Sequence, residues 1–151
     1  MTADVFVDST TLLYTQDLRY PSKQSAAVEW LNRLLISQRM SVSAQVLNET
    51  YWVVSRKAEF GHWRADVRTF LGKLLFWMTP PTSGGLERAW AIEDQFGLRF
   101  WDAMLIASAN EAGCAIFLSE DLNDGQVYGR VRVVDPFRHA PDAVLGDALR
   151  S

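Results

Sequence analysis

Short apolar runs alternate with longer stretches of helical period along almost the whole chain, and that alternation restricts the fold more than any other feature. Val5-Phe6-Val7, Met40 to Val42, Ala115 to Leu118 and Val131 to Val134 are too short for helices and read as buried strands. Helical stretches separate the first three. Strands joined through helices pair in parallel, because each crossover returns the chain to the same end of the sheet. The expected fold class is α/β, with a mostly parallel central sheet covered on both faces in three α/β/α layers.

The helical stretches carry their own start and stop signals. Ser9-Thr10-Thr11 offers hydroxyls to cap a short helix over Leu12 to Gln16, and Pro21-Ser22 opens the next. There Ala26, Ala27, Trp30, Leu31, Leu34 and Leu35 recur at helical spacing and form one apolar face. Ser43 caps a helix from Ala44 to Arg56, with Val46, Leu47, Tyr51 and Val54 as its apolar face. A further helix is expected from Trp63 to Phe76, after which Pro80 and Pro81 make Trp77 to Ser83 an extended connection or short strand. Gly84-Gly85 leads into a helix from Leu86 to Phe96 that Gly97 stops. Phe100-Trp101-Asp102 opens another, over Ala103 to Ala112, ended by Gly113. Beyond Arg138 too few apolar residues remain to specify much.

A chain of 151 residues makes one domain, here residues 1–137 followed by a C-terminal tail, 138–151. The net charge of −3 excludes a protein that wraps duplex nucleic acid nonspecifically, since phosphate contacts demand a basic surface. A local basic patch, or metal ions that invert the field of an acidic site, still permit RNA. The single Cys114 can form neither an internal disulfide nor a cysteine zinc site, and in AGCAIF it reads as a small buried residue. His62 and His139 stand alone in sequence. Core packing is the expected role of most of the six tryptophans, with some available as anchors for a partner. MTADVF carries no basic or long apolar segment, and no run approaches the ~20 residues that span a bilayer, so the expected compartment is the cytoplasm.

The acids are where chemistry enters. In open α/β sheets ligands bind beyond the carboxyl ends of the strands. Asp8 follows the first strand, and Asp121 follows the strand Ala115 to Leu118. Asp102 lies in the first turn of the helix that feeds that strand, and Glu49 lies in a helix that itself starts after a strand. All four can converge on one edge. Close carboxylates repel and take up protons unless a cation offsets them, and oxygen-only ligands select Mg²⁺ or Mn²⁺. Such a site suits phosphodiester hydrolysis. Each acid also has a plainer role: Asp8 as a helix cap, Asp102 as a helix-dipole carboxylate, Glu49 as a solvated residue, Asp121 as a turn residue in SEDLNDG. Glu120 and Asp124 compete with Asp121 for the fourth position. Arg99, three residues before Asp102, is the base best placed to meet a phosphate.

Four segments, VFVDSTTLLY, SAQVLNETYWVV, FWDAMLIASANEAGCAIFLSEDLNDG and VVDPF, occur in an order and spacing that resembles the PIN-domain family, and within it the VapC-type toxins of toxin–antitoxin pairs. The resemblance runs from residue 5 to residue 137. It implies that Asp8, Glu49, Asp102 and Asp121 form an acidic metal site. It further implies a Mg²⁺- or Mn²⁺-dependent ribonuclease that cuts tRNA or rRNA, a homodimer, and a cognate antitoxin that blocks the site. Thr10 stands where the family commonly has Asn, and Arg99-Phe100-Trp101 precedes the third acid where a small hydroxyl residue is usual. The alternative function is a PIN-like binding or regulatory module without catalysis.

Overall fold

The computed structural model describes residues 4–57 and 64–146. Strand β1 (Val5–Val7) leads into helices α1 (Ser9–Gln16) and α2 (Pro21–Ser37), then strand β2 (Met40–Ser41). Helices α3 (Ala44–Arg56), α4 (Arg64–Leu74), α5 (Gly85–Phe96) and α6 (Phe100–Glu111) follow. The chain closes with β3 (Ile116–Leu118), β4 (Val127–Tyr128), β5 (Val131–Val134) and α7 (Pro141–Leu145).

The five-stranded sheet has the order β2-β1-β3-β5-β4. β1 pairs in parallel with β2 on one side and with β3 on the other, and β3 pairs in parallel with β5. Only β4 runs antiparallel, against β5. With helices on both faces this is the three-layer α/β/α arrangement expected from the strand–helix alternation. β1, β3 and most of β5 are buried, and Phe6 and Phe117 stack across the β1–β3 seam at 5.5 Å. α6 is buried on more than one face through Ala103, Leu105, Ile106, Ala107 and Ala109, which fits its run of small and apolar residues. No described helix is long and apolar enough to cross a membrane.

Several expectations are adjusted. The cap of α1 is Asp8, whose carboxylate accepts the Ser9 N–H at 2.7 Å, so the helix starts at Ser9 rather than Leu12. A carboxylate is the stronger acceptor at a helix N-terminus, where the macrodipole favours negative charge. α4 ends at Leu74 and tightens into a 3₁₀ turn over Leu75–Trp77; Trp63, its expected first residue, lies outside the described residues, as does His62. Residues 77–79 then join the sheet edge through a parallel bridge between Val42 and Met78.

The tryptophans depart furthest from expectation. Trp30 is wholly buried and Trp77 partly so, but Trp52, Trp90 and Trp101 are 59%, 49% and 64% exposed. Helical phase decides this. Trp52 lies off the Val46–Leu47–Val54 face, and Arg56 covers its ring at 3.4 Å. Trp30 also organises the C-terminal segment. Its indole N–H is shared between the Pro136 and His139 carbonyls at 3.1 and 2.9 Å. Just beyond, α7 forms and Leu145 enters the core.

Candidate active site

The sheet order creates a switch point. The chain leaves β1 toward β2 and later returns to place β3 on the opposite flank, so a crevice opens between the carboxyl ends of β1 and β3. The Asp8 N–H donates to the Leu118 carbonyl at 3.1 Å, and the Thr11 hydroxyl donates to the same oxygen at 3.1 Å. These bonds hold the start of α1 against the end of β3. The Ser119 N–H continues the zip to Val134 at 3.0 Å.

Asp8 is the centre of the crevice and is 5% exposed. Its Oδ1 accepts the Ser9 N–H; its Oδ2 accepts the Ser119 hydroxyl at 2.6 Å and the Thr10 hydroxyl at 3.4 Å. Burial pushes its carboxyl up to about 6, against those hydrogen bonds, and the charges of Asp121 and Glu49 push the same way. Thr10 thus contributes a donor to Asp8 with a hydroxyl where an amide is common in the family.

Glu49 stands at the rim. The Ser9 hydroxyl spans it and Asp8, 3.1 Å from Glu49 Oε2 and 3.4 Å from Asp8 Oδ1. Glu49 Oε1 accepts the Gln45 amide at 3.1 Å, and the same amide lies 3.4 Å from the Trp101 carbonyl. Glu49 is exposed, yet it points toward Asp8 and is tied to the start of α6. Asp102, in the first turn of α6, faces Arg99 with Nε 3.6 Å from Oδ2.

Asp121 is held by its backbone, whose N–H donates to the Ser119 hydroxyl at 3.1 Å. Partial burial raises its carboxyl first, then the charges of Glu120 and Asp102; Arg99 opposes them. The two competitors for its position are engaged elsewhere. Glu120 pairs with Lys23 at 2.9 Å, and Asp124 pairs with His139 at 2.8 Å while accepting the Asp135 N–H.

Shared hydroxyls therefore join Asp8 to Glu49 and to the Asp121 backbone, while Asp102 is connected only through its charge, which raises the Asp121 carboxyl. Among the described residues no three acidic, histidine or cysteine side chains already stand at joint ligating distance. The donor set still fits a hard divalent cation. Every candidate ligand atom is a carboxylate oxygen, Asp8 is buried beside like charges, and among the described residues no Lys or Arg forms an ion pair with Asp8, Glu49 or Asp121. Cys114 is no part of it: the thiol is buried and pushed up to about 12. Ser9, Ser119 and Gln45 were not visible as site residues in the sequence. Their roles depend on partners brought from other elements.

A mostly parallel α/β sheet with acids near its switch point defines a class of open-sheet proteins that bind ligands beyond the carboxyl ends of their strands. Within that class, the chain belongs to the PIN domain family, whose model matches residues 5–128. PIN domains are generally metal-dependent nucleases. No curated protein matches the chain closely.

Proposed function

We propose that the chain is a divalent-metal-dependent endoribonuclease of the VapC type, the toxin of a toxin–antitoxin pair, acting on tRNA or rRNA. The observation that carries the reading is the buried Asp8, which pairs with no Lys or Arg among the described residues, with Glu49 and Asp121 beside it. Asp8, Glu49, Asp102 and Asp121 would hold Mg²⁺ or Mn²⁺. A bound ion there would lower the pKa of a water and stabilise charge on the phosphoryl oxygens. The chain's own contributions are positional. Ser119 and Thr10 fix one Asp8 oxygen, Ser9 links Asp8 to Glu49, and the exposed Arg99 guanidinium meets the substrate phosphate.

A homodimer and a cognate antitoxin that covers the crevice complete the reading, and the exposed Trp52 and Trp90 suit such interfaces. A homodimer of this kind would bury more than about 1,200 Å² in total, and sedimentation at micromolar concentration would read it.

The deciding experiment incubates parent and Asp8→Asn with total tRNA and with rRNA, with Mg²⁺, with Mn²⁺ and with EDTA. Cleavage by the parent in metal alone, lost in the variant, is expected. Full activity in EDTA, or full activity of Asp8→Asn, sinks the metal mechanism. Thr10 in place of the family's usual Asn favours one other reading, a binding module without catalysis; binding of RNA with no cleavage of any tRNA or rRNA would support it.

A further inference from the structure

We propose that the cleft between α3, α6 and the Thr79–Thr82 segment is a subsite for one nucleobase of the substrate, with Trp101 as its stacking face. This rests on the nuclease reading above and adds what the site recognises beside the phosphate. The cleft is a cavity of about 130 Å³, walled by Gln45, Thr79, Thr82, Met104, Ser108 and Glu111. Drug-sized ligands need roughly 300–1,000 Å³, so this space suits a single ring system.

Its connection to the acids is direct. Gln45 forms part of its wall, and the same Gln45 amide bonds Glu49 at 3.1 Å and reaches the Trp101 carbonyl at 3.4 Å. One side chain thus separates the cleft from the Glu49 carboxylate. On α6, Trp101, Met104, Ser108 and Glu111 follow one another at spacings of three and four, so they share a stripe. Trp101 is the end of that stripe next to Asp102. Trp101 is 64% exposed as a residue, and its ring is steadied edge-on by Phe100 at 5.0 Å.

The chemistry matches the parts of a nucleotide. Arg99, 88% exposed and beside Asp102, takes a phosphate; Trp101 takes a base face; the cleft takes the base edge. Glu111 lies at the far end, 14% exposed, holding the Thr82 hydroxyl and standing 3.7 Å from Arg88. Nearer to Trp101, the Gln45 side chain stands in the cleft wall beside the Trp101 carbonyl, and its amide oxygen can accept a base N–H. Stacking on an aromatic with edge recognition is how single-stranded nucleic acid is read.

The test measures binding in EDTA, where cleavage does not interfere, at low salt. Short fluorescent single-stranded RNAs, and the same strand carrying abasic sites, are titrated into the intact parent, Trp101→Ala, Trp101→Phe and Ser108→Leu. Trp101→Ala should bind base-bearing RNA about tenfold more weakly, the size of one lost base stack, and Trp101→Phe should recover most of it. Ser108→Leu, which fills the cleft, should also weaken it. The abasic strand should bind parent and Trp101→Ala alike. Equal binding of intact RNA by parent and Trp101→Ala overturns the subsite, as does an equal loss for the abasic strand, or no binding by the parent. A Trp101→Ala effect confined to self-association would make this face a protein interface instead. A chain that shows the expected pattern but never cleaves RNA keeps the subsite and loses the nuclease reading; cleavage without the pattern does the reverse.

Discussion

The Ser119 hydroxyl donates to Asp8 Oδ2 at 2.6 Å, and its oxygen accepts the Asp121 N–H at 3.1 Å. One buried serine therefore fixes two acids that follow different strands, β1 and β3. Ser119→Ala should push the Asp8 carboxyl higher still, because its hydrogen bond holds that value down. An unmet bond at a buried carboxylate costs about 1–3 kcal/mol. Calorimetric titration with Mn²⁺ should show weaker binding by the variant; unchanged affinity would remove Ser119 from the site.

Asp8 should make the metal-free fold sensitive to pH in an unusual direction. Its folded carboxyl is raised from 3.8 to about 6, so its contribution is fully present below the unfolded value and is lost as pH rises through about 6. A shift of that size corresponds to about 3 kcal/mol. In EDTA, Asp8→Asn should melt above the parent at pH 8, with the gap closing toward pH 4. A variant that melts well below the parent at pH 8 would mean that the Asp8 charge is stabilising and the burial argument fails.

Asp17 predicts the opposite sign. The Arg19 guanidinium bonds it through Nε and Nη2, both at 2.9 Å, and holds its carboxyl below the usual 3.8. That contribution is present above the unfolded value and disappears as pH falls through the folded one. Arg19 is half exposed, so solvent screens the pair, and Asp17→Asn should cost about 1 kcal/mol at pH 7. The difference should vanish in strong acid, read by denaturant melts across pH.

The Lys23 ammonium is fastened to Glu120 at 2.9 Å and sits over the Tyr14 and Phe137 rings at 4.7 and 5.0 Å. It anchors the loop that carries Asp121. Lys23→Met keeps much of the packing and removes the tie. Such a variant should keep its melting temperature within a few degrees yet bind Mn²⁺ less tightly, whereas a purely structural lysine would lower the melt and leave metal binding alone.

The elements that announced themselves in sequence did so through local signals. Ser43 caps α3 with its hydroxyl 3.3 Å from the Val46 N–H, and Gly97 ends α5 at a φ of 68° that favours glycine. The acids after β1 and β3 were legible for the same reason: strand ends define the edge where ligands bind. β4 was not seen, because two residues carry no periodicity. Its only cue was Gly129, at φ 64°, turning Tyr128 back toward Val131; a Cβ there would meet Asn110 Oδ1 at 2.7 Å. Helix α7 was equally silent, since it depends on carbonyls held by Trp30 from far away in the chain. Core packing for most tryptophans is not met at Trp52, Trp90 and Trp101, because hydrophobicity states a preference for burial and helical phase decides whether it is met.

The seam between β1 and β3 also sets an order of events at the ribosome. Asp8 and the serine that fixes it are 111 positions apart. Parallel pairing across that distance cannot form until most of the chain has been synthesised, and long-range pairing is slow even then. A nascent chain that has delivered β1, α1 and α2 exposes Asp8 without Ser119 or Asp121. The acidic cluster is thus assembled only after the segment beyond β3, which carries Ser119 and Asp121, has been synthesised.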